Sequence, residues 1–160
     1  MEEAKPKKIL TEAQAFLKIC NWCAFQERSQ QEVRDKLYTY GLHQQQVELM
    51  ISRVINEGFL SEERFAMAYA GGKFRMLGWG REKIKAGLKF KRVSDYCIRK
   101  ALAQIDDKDY HQKLKSVIAK RGKEVKEKTL FKRNYKLAQY AISRGFESDL
   151  VWEILRANQE

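Results

Sequence analysis

The chain has 160 residues, 44% of them hydrophobic, with 32 Lys and Arg against 21 Asp and Glu, a net charge of +11. That apolar content excludes wholesale disorder, and no apolar run approaches the roughly 18 residues of a membrane span. The positive excess favours a polyanionic partner, and residues 1–10 lack the apolar segment of a secretory leader, so a cytoplasmic location is the expectation.

A single proline, Pro6, and a surplus of strong helix formers predict an all-α fold. After a charged, flexible N-terminus over residues 1–10, Thr11 and Gln14 have the spacing of a capping box. The helix they open turns Ala15, Phe16, Ile19, Cys20 and Cys23 inward. Ser29 and Glu32 form a second box, before a helix with Val33, Leu37 and Tyr40 on one side and Gly41 as its stop. A third helix carries Val47, Met50, Ile51 and Val54 inward and ends at Gly58. Ser61, followed by Glu62 and Glu63, starts a fourth, where acids suit the positive end of the helix dipole. Its apolar stripe is Phe65, Ala68, Tyr69 and Ala70. A basic run broken by Gly78 and Gly80 follows and leads into a second stripe at Ile84 and Leu88.

The corners repeat. Gly41-Leu42, Arg92-Val93 and Gly145-Phe146 align, with the second members 51 and 53 residues apart. Nine residues upstream of the second member stand Val33, Ile84 and Leu137, and five upstream stand Leu37, Leu88 and Ala141. Five downstream stand Val47, Ile98 and Val151, followed by Met50-Ile51, Ala101-Leu102 and Ile154-Leu155. Three copies of a three-helix unit follow from this, over residues 11–57, 58–106 and 107–160, each resting on its neighbour in an elongated, curved array. Charge is shared unequally among them. Residues 1–57 are neutral, residues 58–106 carry +6 and residues 107–160 carry +5.

The candidate binding surface for a polyanion is therefore Lys73, Arg75, Arg81, Lys83, Lys85, Lys89, Lys91 and Arg92, interrupted by Glu82 alone. Lys126, Lys128, Lys132, Arg133 and Lys136 form a second, weaker basic patch, interrupted by Glu127 and preceded by Glu124. Trp79, between two glycines, either staples its turn to the core or stacks on a partner. Arg64 reads as an ion-pair residue, and Phe65 and Tyr69 as core.

No enzyme constellation is visible. Cys20-x-x-Cys23 has no partner pair to complete a zinc site and no βαβ context for redox chemistry, so both read as buried small residues. His43 and His111 fall in different units with no nucleophile beside them. Gly78-Trp79-Gly80-Arg81 lacks the P-loop pattern, and Asp106 and Asp107 read as helix caps. A non-enzymatic protein with neither metal nor other cofactor is expected.

Gly58-Phe59-Leu60, Glu62-Glu63, Arg64-Phe65-Ala66, Tyr69, Lys73, Arg75, Gly78-Trp79-Gly80, Arg81, Ile84 and Leu88 together resemble the signature run of the RecX family, modulators of the bacterial recombinase RecA. The resemblance extends to Ser29–Leu42 and more loosely to the C-terminal copy. It departs at Gly71 and Gly72, where the family has ordinary helix residues, which bears on the rigidity of that helix. The resemblance implies a monomer that binds the RecA filament along its groove and restrains filament extension, ATP hydrolysis and strand exchange, in DNA repair, recombination and the SOS response. Single- or double-stranded DNA would meet its basic face, with no membrane involved. The rival reading is a non-specific nucleic-acid-binding module built of helix-turn-helix pairs, and a third is a helical scaffold without nucleic acid.

Overall fold

The computed structural model describes residues 8–158, which fold into nine α-helices with, among the described residues, no strand. The first three are α1 (Glu12–Phe25), α2 (Gln30–Thr39) and α3 (Gln44–Asn56). Then come α4 (Glu62–Leu77), α5 (Arg81–Phe90) and α6 (Asp95–Ala103), followed by α7 (Asp107–Gly122), α8 (Leu130–Ser143) and α9 (Ser148–Ala157). Of the flexible N-terminus expected over residues 1–10, residues 1–7 lie outside the described residues. Leu10 is buried, and its N–H donates to the Tyr40 carbonyl at 3.0 Å.

Local chemistry places the helix starts. The Thr11 hydroxyl accepts from the Gln14 N–H at 3.2 Å while the Gln14 side chain accepts from the Thr11 N–H at 3.0 Å. Ser29 and Glu32 exchange the same pair of bonds at 3.0 and 3.3 Å. Ser61, Ser94, Asp106 and Thr129 cap α4, α6, α7 and α8 in extended backbone. Such caps are each worth about 1 kcal/mol because they satisfy donors that the helix leaves open.

The repeat register holds at every corner. Gly41, Arg92 and Gly145 all take left-handed backbone, with φ of 87°, 60° and 99°. The residues after them, Leu42, Val93 and Phe146, are 5%, 7% and 1% exposed. The N–H groups of Val93 and Phe146 reach back five residues to the carbonyls of Leu88 and Ala141, closing the ends of α5 and α8. The aligned positions are buried in all three copies, apart from a half-buried Leu102.

The units are not equivalent in how they pack. The helices α1–α3 close a core of their own around Ile19, Val33, Leu37, Val47 and Val54, joined by Leu60. The helices α4–α9 share one continuous core instead. Aromatic rings carry it across the boundary: Phe74 of α4 stacks on Tyr110 of α7 at 5.9 Å between centroids, and Tyr110 meets Phe146 at 5.3 Å. This double packing also corrects the stripe read on α4. The buried face is Phe65, Ala66, Ala70, Gly71 and Phe74, while Ala68 is exposed and Tyr69 half-buried. The C-terminal half of α4 must cover α7 as well as its own unit, which rotates the apolar face toward Phe74. The Gly71-Gly72 pair does not break α4, and the Arg75 guanidinium folds back over Gly71.

Backbone meets backbone at the same boundary. The Gly80 N–H donates to the Arg144 carbonyl and the Glu82 N–H to the Gly145 carbonyl, both at 2.9 Å, so the α8–α9 corner caps the N-terminus of α5. A Cβ on Gly80 would lie 2.3 Å from the Gly145 carbonyl carbon, and one on Gly145 would lie 2.4 Å from the Lys83 Cβ. Gly58 also has positive φ (82°) but has open space around it. Gly58→Ala should therefore cost only backbone strain, about 1 kcal/mol. Gly80→Ala and Gly145→Ala should each cost more than about 2 kcal/mol in urea melts, since rigid backbone must move aside. Equal, small losses at all three positions would show that the corner is not closely docked.

Candidate functional site

The basic run occupies the C-terminal half of α4, the turn 78–80 and α5, and folding divides it into two groups. Trp79 is half-buried, edge-on to Tyr69 at 6.4 Å, so one side of the indole packs on the core. The Lys73 and Lys83 ammonium groups lie 4.9 and 4.5 Å from its ring centroid. The turn thus presents an indole flanked by two cations. Lys85 and Lys89, one helical turn apart on α5, and Arg75 near the end of α4 are exposed and make no ion pair among the described residues.

Arg81 and Lys91 face inward neighbours, whereas Arg92 stays exposed. The Arg81 guanidinium is 24% exposed and forks between Asp107 at 2.7 Å and Glu147 at 3.0 Å, lying 3.8 Å over the Tyr110 ring. The Arg81 N–H donates to the Tyr110 hydroxyl at 3.0 Å, and that hydroxyl donates to Glu147. Lys91 pairs with Glu32 at 3.4 Å, and Arg92, fixed at the left-handed corner, donates to the Gln31 side chain at 3.3 Å. With Arg64–Glu27 at 3.0 Å, these polar contacts link α1–α3 to α4–α6. The exposed cations of this run are therefore Arg75, Lys85, Lys89 and Arg92, with Lys73 and Lys83 half-buried beside Trp79.

The second patch divides the same way. Arg133 donates to the Val125 and Gly122 carbonyls, both at 2.8 Å, and so finishes the C-terminal end of α7. Lys136 pairs with Glu127, and its hydrogen bond holds that carboxyl below the usual carboxylate range. Lys126, Lys128 and Lys132 remain exposed around a shallow depression.

A third basic cluster was not read from the sequence. Lys113, Lys120 and Arg121 of α7 and Arg144 after α8 line a cavity of about 260 Å³ together with Arg75. Their spacing on α7, seven and eight residues apart, was the available signal. Asp107, Asp109 and Glu124 only flank that stretch, and Arg144 joins it only through the fold.

Nothing in this arrangement prepares a reacting group. Among the described residues, no three His, Cys, Asp or Glu side chains gather closely enough to hold a metal ion. Cys20, Cys23 and Cys97 are buried free thiols, and burial pushes the Cys23 thiol up to about 11, against reactivity. His43 stands at the N-cap of α3, and the His111 ring Nδ1 lies 2.8 Å from the Asp107 carbonyl. No described helix is long and apolar enough to cross a membrane.

Residues 61–102 match the family model for the second three-helix domain of RecX, and residues 107–155 match that for the third. Among curated proteins, the regulatory protein RecX of Haemophilus influenzae (strain PittGG) is 26% identical over 146 residues, covering 91% of this chain and 95% of that protein. The regulatory protein RecX of Clostridium perfringens (strain 13 / Type A) is 28% identical over 131 residues, covering 81% of this chain and 61% of that one. A crystal structure of RecX from Lactobacillus salivarius superposes with a TM-score of 0.82 at 21% identity, covering 91% and 95% of the two chains, so the fold is shared.

The Arg81 cluster gives a pH signature. Burial, and then the bond to Glu147, raise the Tyr110 phenol above its ordinary value near 10. A raised folded value means the stabilisation is fully present below pH about 10 and is lost as pH rises above it. The melting temperature should therefore fall between about pH 10 and pH 12. Tyr110→Phe should be less stable at neutral pH and show a shallower alkaline fall, with Tyr40, Tyr69 and the Cys20 and Cys23 thiols, also raised by burial, supplying the remainder. Parallel pH profiles for the two proteins would remove Tyr110 from this role.

Proposed function

The chain belongs to the RecX family, and on that premise we propose that it regulates the RecA–DNA filament, binding it and restraining filament extension, ATP hydrolysis and strand exchange. Cation placement is the observation that best supports this reading. The net charge of +11 lies wholly on residues 58–160. Much of it projects from α4 and α5 beside Trp79, on a rigid body whose second and third units share one core. A helical filament repeats its phosphates and acidic side chains, so a row of weak contacts acts together and gains by multivalency. The neutral first unit adds no net charge to that face.

The test separates filament binding from simple attraction to DNA. Lys85→Gln with Lys89→Gln removes two outward charges without touching the core, and Lys18→Gln with Lys36→Gln removes two from the first unit. Co-sedimentation with RecA filaments on single-stranded DNA, across a salt series, should show clear weakening for the first pair and little change for the second. The log–log salt slope should flatten by up to about 0.7 per lost phosphate contact on a single strand and about 0.9 on duplex. Equal losses from both pairs would mean that only bulk charge matters. Binding to bare DNA that equals or exceeds binding to the filament would favour a plain nucleic-acid-binding module.

A further inference from the structure

We propose that the cavity between α4, α7 and α8 is a seat for a backbone phosphate of nucleic acid. Arg75, Lys113, Lys120, Arg121 and Arg144 line it against a single carboxylate, Glu124. Two of these groups already serve the protein. Lys113 donates to the Arg75 carbonyl at 3.2 Å and Arg144 to the Leu77 carbonyl, where α4 ends. Helix C-termini attract cations, which would by itself account for some of the cluster. It does not account for all of it. With the Arg75 guanidinium folded back over Gly71, four cations set against one carboxylate and the C-terminal ends of α4, α7 and α8, at about half a charge each, leave an excess of about one and a half positive charges.

The donors point the same way. Arg121 and Arg144 each carry a buried Nε–H that no protein acceptor takes, although Arg121 pairs through another nitrogen with Glu124 at 2.9 Å. Those two Nε atoms are closed to solvent and so to anything in the cavity, and it is the terminal guanidinium nitrogens that offer paired donors matching phosphate oxygens. The cavity, about 260 Å³, equals on the order of nine water volumes, room for a phosphodiester with part of its sugar. The ring of Tyr140 lies 4.7 Å beneath the Arg121 guanidinium, and Met76, 85% exposed, gives the rim an apolar edge. Gly78 lines the cavity, and the next residue is Trp79 with its two lysines. A strand that carries a phosphate at every nucleotide can occupy both features at once, whereas a lone carboxylate can fill only one. The choice of nucleic acid as ligand rests on the reading of the chain as a partner of a nucleoprotein filament.

The test leaves the recombinase out, so its outcome is independent of filament regulation. Fluorescence anisotropy of a dye-labelled oligothymidylate is measured with the full chain and two double variants. Lys113→Gln with Lys120→Gln opens the cavity's charge, and Lys108→Gln with Lys115→Gln removes the same charge from α7 outside the cavity. The cavity pair should bind about tenfold more weakly and the control pair within about twofold of the parent. A third variant, Arg121→Lys, keeps the charge but loses the fork and should bind several-fold more weakly when measured well below its own melting transition. Equal losses from the two pairs, or full affinity in the cavity pair, would overturn the proposal. A cavity pair that keeps oligothymidylate binding but loses binding to polyglutamate would assign the cavity to protein carboxylates instead.

Discussion

The Arg81 guanidinium, held between Asp107 and Glu147 over the Tyr110 ring, is the interaction on which the remaining architecture depends. It stands at the first residue of α5 and draws on side chains from α7 and from the corner before α9. A charge only 24% exposed needs its donors matched, and here two carboxylates match them, Asp107 from the surface and Glu147 half-buried. The same point carries the Gly80 and Glu82 N–H groups onto the α8–α9 corner. Together these contacts set the direction of α5, and α5 sets the direction in which Lys83, Lys85 and Lys89 project. One basic residue is spent on structure so that its neighbours form a surface.

The two joints of the chain differ in kind. Between the second and third units, aromatic rings and a shared core exclude water, and opening that joint would expose Phe74, Tyr110 and Phe146. Between the first and second units the visible ties are Leu60, buried in the first unit's core, and the polar contacts Arg64–Glu27, Lys91–Glu32 and Arg92–Gln31. Exposed pairs of that sort are worth about 0–1 kcal/mol each and weaken with salt. The first unit is held by its own core and tied on by Leu60 and a few polar contacts, whereas the other two share one core. That division matches the distribution of charge, since the neutral unit is the one that is loosely tied.

Much of the fold was legible in the sequence because its determinants are local. A capping box spans four residues, and Thr11–Gln14 and Ser29–Glu32 both close as their spacing predicts. Corner register was legible for the same reason. A left-handed residue followed by a buried apolar one recurs at Leu42, Val93 and Phe146, even where Arg92 replaces the glycine. The face of α4 was misread at Ala68, because which side of a helix is buried depends on how many neighbours it must cover.

The sequence by itself determined that the chain is helical, that its helices come in three phased sets, and that positive charge gathers in the second and third. Only the tertiary structure decided which of those charges remain available. Arg81 meets partners 26 and 66 residues away, Lys91 one 59 residues away, and Arg133 turns onto the end of the preceding helix. Ion pairing acts through space at about 3 Å, and nothing in the linear order marks which lysine or arginine will find a carboxylate there. The cavity lined by Arg75, Lys113, Lys120, Arg121 and Arg144 was illegible for the same reason, because three helices supply it and no single stretch of chain contains it.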